Sequence, residues 1–183
     1  MIFRALALMV GSPIVNEHGK GKAMTIQVGD KIPDMKFKVR QGGDPKDMTT
    51  SDIFSGKKVV VFAVPGAFTP TCSMKHLPGF IGNYDALKKK GVDTIACVSV
   101  NDHFVMGAWA KDQGAGDKIM MIADGNGDFT KAMGLELDGS GFGLGKRSQR
   151  YAMIVDNGTV KKLNVEKGGA FEVSSAEACL RKL

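Results

Sequence analysis

From Lys57 to Val64 the chain reads KKVVVFAV, with no polar residue after its two lysines. A strand with one wet face would alternate apolar and polar residues, so this β-branched run predicts a central strand covered on both faces. GVDTIACVSV and KIMMIAD carry the same signature and predict two further strands. Between the three lie segments with a helical pattern. SMKHLPGFIGNYDALKKKG reads as a helix kinked at Pro78, and NDHFVMGAWAKDQ as a helix capped by Asn101 or Asp102. DFTKAMGL predicts a short helix ending near Gly134. YAMIVD and TVKKLNVE flank the pair Asn157-Gly158, a strong hairpin signal. SSAEACLRKL closes the pattern as a helix with a capping box formed by Ser174 and Glu177.

Upstream, the alternation of Met35, Phe37 and Val39 predicts a strand, while QGGDPKDMTTSDIF reads as a loop in which Ser51 and Asp52 cap a short helical turn. ELDGSGFGLGKRSQR reads as a glycine-rich loop. From residue 58 the order is therefore β-α-β-α-β-α-β-β-α. Crossover helices make the first strands parallel, and the hairpin adds antiparallel strands at one edge. The expected class is α/β, a central mixed sheet flanked by helices, which resembles the thioredoxin-like arrangement. Residues 1–23, MIFRALALMVGSPIVNEHGKGKA, show no sustained period and read as a disordered or leader-like extension, with one domain over 24–183.

Composition changes this picture little. At 183 residues, 43% hydrophobic and 24% charged, the chain suits one globular domain with a substantial core. No apolar run approaches the roughly 20 residues that span a bilayer. The net charge of +6 includes +2 from residues 1–23, where Arg4, Lys20 and Lys22 outnumber Glu17. The remaining +4 forms no arginine-rich stripe, so neither a nucleic-acid nor a membrane partner is expected.

The cysteines are Cys72, Cys97 and Cys179, an odd number with no CxxC pair. That usage predicts free thiols in a reducing compartment. Cys97 sits mid-strand and reads as a buried thiol. Cys72 is different, because it follows the turn PGAFTPT where the chain leaves the sheet and enters a helix. A first helical turn lowers a thiol pKa through its N–H groups, and a nearby cation lowers it further. Arg150, just ahead of the strand YAMIVD, is the candidate cation, with Arg147 second. Thr69 offers a hydroxyl three residues before Cys72, and Pro65 can shield the site without an N–H to satisfy. His76, one helical turn past Cys72, reads as a packing or supporting residue. No ligand spacing points to a metal.

The segment VPGAFTPTCSMKHLPGF resembles the active-site stretch of peroxiredoxins of the type II, or five-type, subfamily. IACVSVNDHFVMGAW, GFGLGKRSQRYAMIVDNG and KLNVE resemble later blocks of the same subfamily, in the same order. The resemblance spans about residues 24–183. It implies a thioredoxin fold and a thiol-dependent peroxidase acting on hydrogen peroxide and alkyl hydroperoxides, with a role in antioxidant defence and redox homeostasis. Cys72 would be the peroxidatic nucleophile and Thr69 would hydrogen-bond the peroxide oxygens. Pro65 would shield the sulfenic acid. Arg150 would be the catalytic arginine, and backbone N–H groups near Gly66 would help bind substrate. No metal, haem or flavin is implied. The loop KGGAFEVSS lacks the resolving cysteine of animal members, so an external thiol is expected to recycle Cys72: glutathione with glutaredoxin, or thioredoxin. A homodimer is implied by the same resemblance. A cytoplasmic location is expected, or a mitochondrial or other organellar one if residues 1–23 are a presequence.

Overall fold

The computed structural model describes residues 24–183; the extension expected over residues 1–23 lies outside the described residues. Seven strands form the main sheet: β1 (Lys36–Arg40), β2 (Lys46–Thr49), β3 (Lys58–Ala63), β4 (Thr94–Ser99), β5 (Met120–Ala123), β8 (Tyr151–Asp156) and β9 (Thr159–Val165). Their order across the sheet is β2-β1-β5-β4-β3-β8-β9. The pairs β3–β4 and β4–β5 are parallel, and the other pairings are antiparallel. The mixed thioredoxin-like sheet read from the element order is therefore present.

β3 shows why no polar residue follows Lys58 in its sequence. Val59, Val61 and Ala63 join the core on one face, with Phe37, Val39, Phe129 and Met153. Val60, Phe62 and Val64 join the core on the other, with Phe80, Cys97, Trp109 and Cys72. Successive strand residues face opposite ways, so a strand between two cores must be apolar throughout. The hairpin turn also matches its signal: Asn157 and Gly158 both take positive φ, 46° and 74°, as a two-residue type I′ turn requires.

The helices pack on both faces: α1 (Thr50–Phe54), α2 (Leu77–Gly82), α3 (Tyr84–Lys89), α4 (His103–Asp112), α5 (Asp128–Ala132) and α6 (Ala176–Leu180). Directly before α2 runs a π-turn, Cys72–His76, in which the Leu77 N–H donates to the Cys72 carbonyl. The kink expected at Pro78 takes this form. Pro78 cannot donate to the carbonyl four residues back, and its ring crowds it, so the preceding turn widens. Leu77 and Phe80 are fully buried and fix α2 on the sheet, each by about 1.5–3 kcal/mol.

Three local readings are corrected, and that of the α4 cap is narrowed to one of its two candidates. QGGDPKDMTTSDIF is not all loop: it holds β2 and α1, and the helix cap is Thr49, in a capping box with Asp52, rather than Ser51 or Asp52. The glycine-rich loop contains a second, two-stranded sheet, β6 (Glu136–Asp138) with β7 (Lys146–Ser148). The cap of α4 is Asp102, whose carboxylate accepts from the N–H groups of Phe104 and Val105. The cap of α6 is Ser175, whose hydroxyl accepts from Ala178. Ser174 is committed instead to Glu166, 2.8 Å away.

Candidate active site

Residues 65–69 cross from the end of β3 to the helix that carries Cys72. The turn is tied at two points. The Ala67 N–H donates to the Asn101 side-chain carbonyl at 3.0 Å, which also accepts from the Ser99 hydroxyl at 2.7 Å. The Thr69 hydroxyl donates to the Gly66 carbonyl at 2.8 Å. Phe68, between them, sits at φ 61°, a conformation a bulky residue keeps only where its surroundings enforce it. The helix then starts at Pro70, and the Ser73 N–H closes its first bond to the Thr69 carbonyl at 3.0 Å. Thr69 and Cys72 are thereby held on opposite ends of one short turn.

Cys72 is 0% exposed and belongs to the core cluster that also holds Cys97. The turn bearing it is latched to α4 by the Trp109 indole N–H, which donates to the Ser73 hydroxyl at 2.9 Å.

Arg150 enters from β8. Tyr151 pairs with Ala63, so the residue before Tyr151 lies across from the residue after Ala63, at the rim where the Cys72 turn begins. Arg150 is 8% exposed, and its guanidinium donates from Nη1 to His76 Nδ1 at 3.1 Å. The Phe171 ring lies 5.8 Å from the guanidinium carbon, a cation–π distance. Arg147 reaches the other side of the turn. Its Nη1 donates to the Val100 carbonyl at 3.2 Å and its Nε to the Leu144 carbonyl at 2.8 Å. The same Nη1 lies 3.3 Å from where a β-carbon on Gly66 would be. Both arginines named from sequence therefore flank residues 65–76.

His76 is more than packing. Its Nε2 lies 3.0 Å from the Ser174 carbonyl. A guanidinium only donates and a carbonyl only accepts, so Nδ1 is the bare nitrogen and Nε2 carries the proton. Burial, and then the Arg150 charge, push its pKa down to about 3. Asn101, read from sequence only as a helix-cap candidate, and Glu166, not singled out at all, hold segments that flank the site; each does so through a contact with a distant segment that no local pattern marks. The other thiols are poor nucleophiles. Burial, with Cys72 nearby, raises the Cys97 pKa well above its ordinary value, and burial pushes Cys179 up to about 12. Among the described residues, no three His, Cys, Asp or Glu side chains gather to hold a metal ion, and no helix is long and apolar enough to cross a membrane.

A buried cysteine on a helical turn, a threonine at its foot and an arginine across the rim form the candidate thiol site on a thioredoxin-like sheet. The family model described as Redoxin matches residues 27–180. Peroxiredoxin-2E, chloroplastic, of Arabidopsis thaliana is 54% identical over 163 residues, covering 87% of this chain and 70% of the relative. The hybrid peroxiredoxin hyPrx5 of Haemophilus influenzae is 47% identical over 163 residues, covering 87% and 67%. The crystal structure of reduced Prx3 from Vibrio vulnificus in complex with H2O2 superposes with a TM-score of 0.81 at 55% identity, covering 86% of this chain and 96% of that one. The chain belongs to the peroxiredoxin family of the thioredoxin-like superfamily, and is a thiol-dependent peroxidase with an antioxidant role.

Proposed function

We propose that Cys72 reduces hydrogen peroxide and alkyl hydroperoxides and is recycled by an external thiol. The observation that carries this reading is the convergence of Thr69 and the His76-held Arg150 on the turn that bears Cys72. The Cys72 thiolate attacks one peroxide oxygen, the O–O bond breaks, and the pair leaves with the second oxygen as alkoxide or hydroxide, which takes a proton. Negative charge grows on that leaving oxygen. Fixed donors favour this transition state over the ground state: the Arg150 guanidinium and the N–H groups near Gly66, joined by the Thr69 hydroxyl once its proton turns from the Gly66 carbonyl to the peroxide. Pro65, at the mouth of the turn, shields the resulting sulfenic acid. The first external thiol then condenses with the sulfenic acid, releasing water and leaving a mixed disulfide. A second thiol displaces it and restores Cys72.

Cys97 and Cys179, with their raised pKa values, supply almost no thiolate at neutral pH, which supports recycling by an outside reductant. Glutathione with glutaredoxin, or thioredoxin, fits that role, and the cycle needs no metal, haem or flavin. Phe68 (52% exposed), Met74 (69%) and Phe104 (70%) present large apolar side chains around the same turn, which suits a homodimer contact at this edge. The leader-like reading of residues 1–23 is supported by the chloroplastic relative over the cytoplasmic one.

The test is intact mass after one equivalent of hydrogen peroxide, with and without a sulfenate trap, followed by turnover with each reductant. A trapped adduct on Cys72 and turnover with an added thiol are expected. A stoichiometric disulfide between Cys72 and Cys97 or Cys179 refutes external recycling, and an unmodified Cys72 refutes the site. Arg150→Met should slow Cys72 oxidation about 100-fold or more, and Arg147→Met less. The reverse order moves the catalytic role to Arg147.

A further inference from the structure

Arg150 begins and ends a closed circuit of hydrogen bonds. Its carbonyl accepts from the Glu166 N–H at 2.9 Å. The Glu166 side chain gathers four donors on Oε1, each at 2.8 Å: the N–H groups of Glu172, Val173 and Ser174, and the Ser174 hydroxyl. The Ser174 carbonyl accepts from His76 Nε2–H at 3.0 Å. His76 Nδ1 accepts from the Arg150 guanidinium at 3.1 Å. The circuit closes on the residue where it started, with the Phe171 ring packed edge-on to His76 and over Arg150.

Residues 168–175 contain no helix or strand, so their backbone needs an outside acceptor to be fixed. Glu166 is that acceptor. Burial alone would raise its pKa, but the Ser174, Glu172 and Val173 donors outweigh burial and lower it. It is an anion held where an anion is needed. Its neighbours in the circuit are buried as well: His76 and Ser174 are fully so, and Glu166 is 9% exposed.

We infer that Glu166 is a positioning residue for Arg150, setting the guanidinium through Ser174 and His76 without touching the peroxide. The inference rests on the catalytic reading of Arg150 above. A loop released from Glu166 lets the Ser174 carbonyl drift, His76 loses the partner that fixes its tautomer and ring plane, and the guanidinium loses its one side-chain hydrogen-bond partner. Misplacement of a reacting or stabilising group by about 1 Å can cost up to about 100-fold in rate.

The test is a double-mutant cycle on the second-order rate of Cys72 oxidation by hydrogen peroxide, with Glu166→Gln and Arg150→Met. Glu166→Gln should slow wild type about 10-fold and the Arg150→Met background less than about 2-fold, because the effect passes through the missing guanidinium. Nitrogen-15 spectra should show His76 as the fixed Nε2–H tautomer in the parent and a mixed population in Glu166→Gln. Equal slowing in both backgrounds, no slowing in the parent, or an unchanged tautomer would overturn the inference. If Arg150→Met alone leaves the rate unchanged, the catalytic reading of Arg150 fails and takes this inference with it. Should Glu166→Gln not fold, Ser174→Ala, which removes one of the four donors, replaces it with a slowing of about 3-fold and the same pattern across backgrounds.

Discussion

The bare Nδ1 of His76 gives a stability signature at mildly acid pH. In the native state the ring faces the Arg150 guanidinium on one side and donates to a carbonyl on the other, with Phe62, Phe80 and Phe171 around it. Its pKa falls from 6.5 to about 3. A depressed native value means that the unfolded chain takes up a proton, between those two values, that the folded chain refuses. Stability from this group is therefore complete above pH 6.5 and is lost as pH falls toward 3. Each pH unit well inside that window is worth about 1.4 kcal/mol, so the loss from pH 7 to pH 5 is about 2 kcal/mol. The comparison chain is His76→Asn, which has nothing to titrate there. Urea unfolding in reductant, followed by the emission of the buried Trp109, the chain's one tryptophan, measures both proteins at both pH values. Contributions from other groups, including Asp124 with its burial-raised pKa, cancel in the difference. Glu166, with its lowered pKa, stays ionised down to pH 5. The stability gap between the two proteins should shrink by about 2 kcal/mol on going to pH 5. A gap constant to within about 0.5 kcal/mol would show that His76 takes a proton in the folded protein, and the tautomer assignment would fall.

Three further outcomes are expected. Thr69→Val should lower the rate of Cys72 oxidation about 100-fold, while Thr69→Ser keeps most of it; stopped-flow kinetics separate the two, and equal losses would mean that the hydroxyl alone does not carry the role. Gly134→Ala should cost at least about 2 kcal/mol in urea unfolding, because Gly134 lies at φ +66° and its new β-carbon would meet the Thr25 Cα at 2.7 Å; a change under about 0.5 kcal/mol would mean that residues 24–25 shift aside freely. The double variant Cys97→Ala with Cys179→Ala should keep turnover with an external thiol within about 2-fold, and loss of turnover would reveal an internal resolver.

Much of the sheet was legible because burial leaves a trace in composition. β3, β4 and β5 are covered on both faces, so their interiors had to be apolar, with Lys58, Thr94 and Ser99 only at strand ends. The hairpin of β8 and β9 announced itself through Asn157-Gly158, since few other pairs accept two positive φ values. β2, β6 and β7 went unread because they are short and largely exposed, so nothing forces an apolar rhythm on them. Ser174 shows the limit of local motifs. With Glu177 it spells a capping box, yet a buried carboxylate from β9's end outcompeted the helix for it, and Ser175 took the cap. At the site, the residues from Pro65 to Cys72 lie in one turn and could be read together. The bonds joining His76 to Arg150 and to Ser174 span 74 and 98 positions. Only the folded chain brings them together.

The π-turn has a consequence for the direction in which Cys72 points. An ordinary helix advances about 100° per residue, and a π-turn absorbs one residue more than that pitch requires. Leu77 and Phe80 are locked in the core, so the downstream end cannot rotate. Wound at the regular pitch, the same residues would swing the upstream end by about 100°. Thr69 and the sulfur would then face away from Arg150 with every side chain of the site still present. The phase of the reactive atom is thus set by a count of residues along the helix, a property invisible to any inventory of which residues the site contains.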